Sequence, residues 1–215
     1  MKDKSIILNL LTIVATVAIA GCASSGYQKG SKTGANIQEA ANRIAAMPGR
    51  IDQTVAALND LVEKPQPDLR PQFKSFSSQL ADMESDAQNI ADARRNMAKS
   101  GKEFFAKWDE QLATIQNEDI KARSQSRKDE VAQKLTAIKL SYTQAEMSFK
   151  PFLANLKDVQ KSLSVDLTPG GVAAMKDTAA KAAQEAGPLK DSAAKLAADF
   201  QALGLAMSAV APSAK

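Results

Sequence analysis

The stretch that decides the fold is residues 131–163, VAQKLTAIKLSYTQAEMSFKPFLANLKDVQKSL. Apolar residues return in it at alternating steps of four and three, from Val131 to Leu163. Such steps place all of them on one face of an α-helix, and the resulting heptad repeat is typical of helices that pack along their length. Pro151 leaves the phase of the repeat unchanged, so the stretch predicts one long helix with a bend at the proline.

Three further segments show the same helical spacing of apolar residues: 37–62, 73–115 and 172–203. Short polar or proline-containing connections separate the four segments: 63–71, the residues around 117, and 164–168. Helices joined by short connections run antiparallel. The sequence therefore predicts an all-α fold, an elongated antiparallel helical bundle or coiled-coil hairpin of about four long helices.

The boundaries of the last two helices carry recognisable signals. Asn117 is a good N-cap and two acidic residues follow it, which suits the positive end of the helix dipole. Thr168 is an N-cap residue before Pro169, which fits the first helical position. We expect the second and third helices to form a long hairpin with its tip near residue 117. We expect the first helix to be shorter and to lie along the lower half of the second.

The N-terminal segment, residues 1–21, has a charged start, a short apolar centre and small residues before Cys22. This order is typical of a secretory signal peptide. The run Ile19, Ala20, Gly21, Cys22 resembles a bacterial lipobox, which implies that the Cys22 thiol receives a diacylglyceryl group and that the chain is cut before it. The alternatives are an ordinary signal peptide with a chance cysteine, or an uncleaved anchor.

The residue after Cys22 is Ala, not Asp, which by the sorting rule of enteric lipoproteins predicts the outer membrane, facing the periplasm. Residues 22–35 are rich in Gly, Ser and Lys and predict a lipidated flexible stalk. Residues 36–207 form the predicted helical bundle domain, and residues 208–215 a disordered tail. In this interpretation the lipid holds the base of a rod and the hairpin tip projects away from it.

The composition excludes several chemistries. The chain has no histidine and one cysteine, so an intrachain disulfide, a Cys/His zinc site and a Ser-His-Asp site are all impossible. We therefore expect no enzymatic activity, no metal and no cofactor. The formal net charge of +4 is too mild for a nucleic-acid-binding protein.

Two groups near the hairpin tip are candidate partner-binding sites. The aromatic group is Phe105 and Trp108, and the basic group is Lys121, Arg123, Arg127 and Lys128. Exposed aromatic side chains would bind a protein partner, and a basic surface would bind anionic lipid, glycan or an acidic client. The alternatives are that Phe104 and Trp108 fill the hairpin seam, which leaves Phe105 off it, and that the basic run is a solvated helix face.

Lys215, the last residue, is a candidate peptidoglycan linkage, because the main outer-membrane lipoprotein of enteric bacteria is amide-linked through a terminal lysine. The alternative is an ordinary terminal lysine. The Ala-rich fourth segment either packs tightly inside the bundle or serves as a docking surface, which leaves a homo-oligomer possible.

Two stretches carry a family resemblance: FFAKWDEQLATIQNEDIKARSQSRKDEV at 104–131 and SYTQAEMSFKPFLANLKDVQKSLSVDL at 141–167. They resemble a bacterial family known as domain of unknown function 2959, and the similarity extends over most of residues 26–207. The resemblance implies a helical envelope lipoprotein and supplies no catalytic residues.

These observations favour an outer-membrane-anchored periplasmic lipoprotein. We expect it to have a structural, tethering or partner-binding role, with peptidoglycan or a protein as its partner. The alternative is a periplasmic holding chaperone that binds unfolded envelope proteins.

Overall fold

The computed structural model describes the backbone of residues 20–207 and the side chains of residues 28–207. It contains five helices: α1 (Ala20–Glu63), α2 (Arg70–Thr114), α3 (Glu118–Val165), α4 (Pro169–Ala174) and α5 (Lys176–Met207). Within the described residues there is no strand, so the all-α prediction is confirmed. Residues 1–19, which make up most of the predicted signal peptide 1–21, and the predicted tail 208–215 lie outside the described residues.

The four long helices form a closed antiparallel bundle. α1 packs along both α2 and α5, and α3 completes the bundle by packing against α2 and α5. The antiparallel course of α1 and α5 is visible at both ends: Gly34 lies beside Gly204, and Glu63 forms an ion pair of 3.3 Å with Lys176. No helix in the described part of the chain has an apolar stretch long enough to span a bilayer.

The heptad stretch forms α3 as predicted. Its apolar residues are buried or pack against the core, and α3 continues through Pro151 without interruption. α1 buries a wider stripe than its spacing predicted, including Ala40, Thr54 and Leu61. The reason is that α1 contacts two neighbours, α2 and α5, so two of its faces are covered.

The predicted helix starts are confirmed. The Asn117 side-chain oxygen accepts a hydrogen bond from the Ile120 amide at 3.1 Å, which caps α3. The Thr168 hydroxyl oxygen accepts one from the Gly171 amide at 3.1 Å, which caps α4. Both bonds satisfy amides that have no partner within the helix.

The fourth predicted helix is divided in two. α4 ends at Ala174, and the amide of the following Met175 donates to the Val172 carbonyl at 3.0 Å and closes a tighter, three-residue turn. Two glycines, Gly170 and Gly171, lower the helix propensity just before this turn. The apolar spacing survives the division because Val172 and Ala179 are both buried.

The stalk prediction for residues 22–35 is wrong over its described part. α1 is already helical at Ala20, and Gly30, Thr33 and Gly34 are buried against neighbouring helices. Composition misled the prediction, because Gly and Thr at helical spacing allow two helices to approach closely instead of loosening the chain. With 44 residues against 45, α1 is nearly as long as α2, so the prediction of a first helix that covers only half of the second is wrong.

The small residues of α5 are used inside the chain. Their side chains are nearly inaccessible and face the bundle interior: Ala179, Ala182, Ala186 and Ala193. Tight packing within one bundle is thus confirmed for this helix, and these alanines do not form a docking surface.

Candidate functional sites

The direction of α1 determines which end of the bundle carries Cys22. A Cβ at Gly30 would lie 3.0 Å from the Phe104 ring, which fixes the level of α1 against α2. Cys22 precedes Gly30 by eight residues of continuous helix, about 12 Å at 1.5 Å per residue. Phe104 is ten residues before the end of α2 at Thr114. Cys22 therefore lies at the same end as the α2–α3 turn.

This placement overturns one prediction. The sequence interpretation put the lipid at the base and the hairpin tip at the far end of the rod. In the structure three elements share one end: the start of α1, the α2–α3 turn at residues 115–117 and the end of α5. We call this the anchor end. The connections at residues 64–69 and 166–168 form the opposite, distal end.

The aromatic candidates lie in a cluster at the anchor end. The Phe105 and Trp108 rings are stacked, with an interplanar angle of 7° and centroids 6.4 Å apart. Trp108 Nε1 donates a hydrogen bond of 2.9 Å to the Ser124 hydroxyl on α3. Both rings are half-buried and pack against the core. The cluster joins α2 to α3, and its predicted role in partner binding remains a prediction.

Three of the basic candidates have acidic neighbours. Lys128 pairs with Asp109 across the hairpin, and Lys121 lies 3.8 Å from Glu118. Arg127 contacts Glu130 at 2.6 Å and also donates to the Ala206 carbonyl of α5 at 3.1 Å. The last bond places a cation at the negative end of α5. Lys128 and Arg127 thus link α3 to α2 and to α5 at the anchor end, whereas the contact of Lys121 lies within α3.

The charges around Glu130 change its acidity. Hydrogen bonds from Arg127 and then Lys134 lower the pKa of the Glu130 carboxyl to about 2, well below its ordinary value of 4.5. The carboxylate is therefore ionised at neutral pH and balances part of the basic run. Arg123 differs from its neighbours in being exposed on α3 next to the turn.

An exposed apolar side chain accompanies Arg123. Ile120, in the first turn of α3, is 56% exposed, although a large aliphatic group gains free energy by leaving water. Sequence reasoning missed it because a single Ile outside the heptad repeat carries no signal. That Ile120 lies at the same end of the bundle as Cys22 can be recognised only once the direction of α1 is known.

A second candidate site is a cavity at mid-height. Its volume is about 260 Å³, and it opens between α2 and α3. Its inner wall consists of apolar side chains from α1 and α5: Ile44, Met47, Ile51, Leu189, Ala193 and Leu196. The sequence predicted a fully packed seam without any crevice. The sequence did contain one indication of the cavity, because Ala87 on α2 and Ala145 on α3 are both small residues at seam positions.

Arg94 lies at the edge of this cavity. Its guanidinium carbon is 4.8 Å from the centroid of the Tyr142 ring, which lines the cavity. The Arg94 Nε is buried and has no hydrogen-bond partner among residues 28–207. Burial, with a smaller contribution from Glu146, raises the pKa of the Tyr142 hydroxyl above its ordinary value. Tyr142 is therefore neutral and presents its ring face to the cation.

Several of the predicted site residues have no described side chain. Ile19 and Lys215 lie outside the described residues, and the structure gives only the helical backbone of Ala20, Gly21 and Cys22. Within the described part of the chain, no group of carboxylates is arranged to hold a metal ion.

The fold and its sites define a class: an elongated, all-α helical bundle of a single chain. A family model described as protein of unknown function (DUF2959) matches residues 21–201, so the chain belongs to that family. The resemblance noted from the sequence is thereby confirmed. No curated protein and no solved structure matches the chain.

Proposed function

We propose that this protein is an outer-membrane-anchored periplasmic lipoprotein with a structural, tethering or partner-binding role in the cell envelope and without catalysis. The observation that carries the proposal is the continuity of α1 from Ala20 to Glu63. A lipid on Cys22 would be attached to the first turn of a helix that packs against α2 and α5. The anchor would therefore hold a rigid bundle rather than a loose tether.

The anchor end has side chains that suit a bilayer surface. Ile120 offers exposed apolar area and Arg123 an exposed cation on the same helix. An acyl anchor combined with basic and apolar surface groups binds membranes more firmly than one acyl chain alone. In this orientation the distal end is left to meet a protein partner or peptidoglycan.

The lipid anchor is tested by labelling cells with radioactive palmitate and separating the membranes. We expect the wild-type chain to carry label and to fractionate with the outer membrane. Cys22→Ala removes the only thiol and should abolish the label, while Ser24→Ala serves as the neighbouring control and should keep it. An unlabelled wild-type chain, or one found in the inner membrane, would contradict the proposal.

The orientation is tested with the single tryptophan. In vesicles that contain lipids with spin-labelled headgroups, Trp108 of the purified lipoprotein should be strongly quenched because it lies at the anchor end. The matched variant combines Trp108→Phe with Val165→Trp, which moves the fluorophore to the 90% exposed Val165 position at the distal end. Quenching of the distal fluorophore alone would show the opposite orientation.

The peptidoglycan linkage is tested separately. If Lys215 is amide-linked to peptidoglycan, boiling in detergent should leave a fraction of the protein on purified sacculi, and deletion of Lys215 should release it. Equal retention of both chains would remove Lys215 from the proposal without affecting the lipid anchor.

One observation favours the alternative of a holding chaperone. Leu140 and Met147 are spaced by seven residues on α3 and are 62% and 71% exposed, so one outer face offers apolar surface. The protein would then suppress aggregation of an unfolded outer-membrane protein at several-fold excess. Leu140→Gln combined with Met147→Gln should abolish that suppression, and absence of any suppression by the wild type would exclude this role.

A further inference from the structure

We propose that the cavity between α2 and α3 binds one fatty acid, with its acyl chain among the apolar side chains and its carboxylate at Arg94. This inference is independent of the lipid anchor, because the cavity lies at mid-height on the side of the bundle. Ile44, the first residue of α1 that lines the cavity, follows Gly30 at the anchor end by about 21 Å of helix.

The shape and lining of the cavity select an acyl chain. The inner wall contributes aliphatic side chains such as Ile44, Met47 and Leu196. At about 260 Å³ the cavity is larger than the roughly 150 Å³ hole that binds benzene in an engineered protein core. It is smaller than the roughly 300–1,000 Å³ of pockets for drug-sized ligands. This volume suits a single acyl chain and is too small for the two acyl chains of a phospholipid.

The charges at the mouth suit an anionic head. Glu146 is paired with Lys150 at 3.0 Å, and Glu84 is paired with Lys157. Both carboxylates at the mouth are therefore neutralised and do not repel an anion. The cation beside the mouth is the guanidinium of Arg94, which contacts the Tyr142 ring and forms no ion pair among residues 28–207.

Arg94 is the group that recognises the carboxylate. Its neighbour Arg95 is paired with Asp92, whereas no carboxylate among residues 28–207 lies within salt-bridge distance of Arg94. Ala91 lines the cavity and precedes Arg94 by three residues on α2. The guanidinium therefore lies beside the edge of the opening that is nearer the anchor end. A carboxylate there would accept charge-assisted hydrogen bonds from the outer N–H groups of the guanidinium.

Prolines coincide with the cavity in three helices. Pro48 lies between two lining residues of α1, Pro151 between two of α3, and Pro188 directly before lining residue Leu189 of α5. Each proline removes one backbone hydrogen bond from the interior of its helix. The helices are thus weakest at the level of the cavity, which allows the walls to adjust to an entering chain.

The test is photo-crosslinking of the purified full-length lipoprotein in phosphatidylcholine vesicles. The probe is hexadecanoic acid with a diazirine near its methyl end, and the labelled peptides are identified by mass spectrometry. We expect labelling at the inner wall, in the peptides around Met47 and Ala193. Labelling confined to the anchor end, or no saturable labelling, would overturn the proposal.

Two comparisons separate recognition of the head from partition of the chain. Arg94→Gln should reduce cavity labelling about tenfold through loss of one charge-assisted hydrogen bond, and Arg95→Gln should leave it unchanged. The corresponding fatty alcohol should label the wild type as weakly as the acid labels Arg94→Gln. Equal labelling by acid and alcohol would overturn the role of Arg94.

A third comparison tests the cavity itself. Ala87→Phe fills the opening and should abolish labelling, while Ala81→Phe places the same ring on an exposed position of α2 and should have no effect. Circular dichroism melting confirms that both variants fold.

Excess phosphatidylglycerol should not compete with the probe for the cavity. Competition would show that the ligand is a two-chain lipid and not a fatty acid. If the purified wild-type protein carries no lipid on Cys22 but its cavity peptides are labelled, this result would support the fatty-acid site and contradict the lipid anchor.

Discussion

Thr33 on α1 donates a hydrogen bond from its hydroxyl to the carbonyl oxygen of Ser100 on α2, at 3.3 Å. The same hydroxyl lies 2.8 Å from the Lys29 carbonyl, and the Asn36 amide donates to the Ser100 hydroxyl at 3.2 Å. These bonds hold the beginning of α1 to α2, in a segment whose composition is typical of a linker. The beginning of α1, which follows Cys22, is therefore fixed to the bundle.

The first prediction concerns this connection. Thr33 is only 1% exposed, so Thr33→Ala removes a buried hydroxyl and should lower the free energy of unfolding by about 1 kcal/mol. Ser31→Ala, on the exposed side of α1, should change it by less than about 0.5 kcal/mol. Urea unfolding followed by circular dichroism measures both. Equal stability of the two variants would mean that this segment does not contribute to the folded bundle.

The second prediction concerns the contact between α1 and α5. A Cβ at Gly34 would lie 3.4 Å from the Gly204 carbonyl oxygen, so Gly34→Leu forces the two helices apart and should cost about 1–3 kcal/mol. Gly49→Leu on the same helix meets no atom within 4 Å and should stabilise by a few tenths of a kcal/mol through better helix propensity. The comparison uses the same unfolding assay. A neutral Gly34→Leu would refute the close approach.

The third prediction concerns the distal end, where Gln72 is 9% exposed. Its amide nitrogen donates to the Asp60 and Lys64 carbonyls at 3.1 and 3.0 Å, and its oxygen accepts from the Gln66 amide at 2.9 Å. Gln72→Ala removes these bonds from a nearly buried side chain and leaves the Gln66 amide without its partner, so it should cost about 1 kcal/mol. Gln133→Ala, on the exposed face of α3, is the control and should be close to neutral. A cost below that of the control would show that water replaces the Gln72 bonds.

The fourth prediction concerns pH. Because the pKa of Glu130 is lowered to about 2 in the folded protein, its contribution to stability is present above its ordinary value of 4.5. That contribution is lost as the pH falls through about 2. Arg127→Gln removes the largest cause and should raise the pKa of Glu130 toward its ordinary value, as measured by NMR titration of the side-chain carboxyl carbon. Arg123→Gln should leave the titration unchanged, and a shift as large as that of Arg127→Gln would contradict the assignment.

Much of the fold follows from local patterns. The heptad repeat of α3, the N-caps Asn117 and Thr168 and the apolar stripes were readable because each depends on residues close in sequence. The stalk prediction was wrong because small residues such as Gly30 and Thr33 are found in two structural contexts. Such residues loosen an isolated chain, but they also permit close packing when a neighbouring helix covers them.

The candidate sites were less predictable than the fold. That Cys22 and Trp108 share one end depends on how far α1 extends, which no local pattern reports. The cavity depends on Ala87 and Ala145 facing each other across two helices, a coincidence of register between segments far apart in sequence. Arg94 likewise has no sequence signal, since its distinction from Arg95 is only which side of α2 it occupies.

The uninterrupted length of α1 sets a reach. From Cys22 to Glu63 the helix spans about 63 Å at 1.5 Å per residue, as far as the connection at residues 64–69. With the anchor that we propose, the bundle works as a spacer of fixed height above the bilayer. A partner that binds at the exposed prolines Pro65 and Pro67 would do so at a fixed distance from the membrane surface. Lengthening or shortening all four helices by whole turns would change that distance in steps of about 5.4 Å.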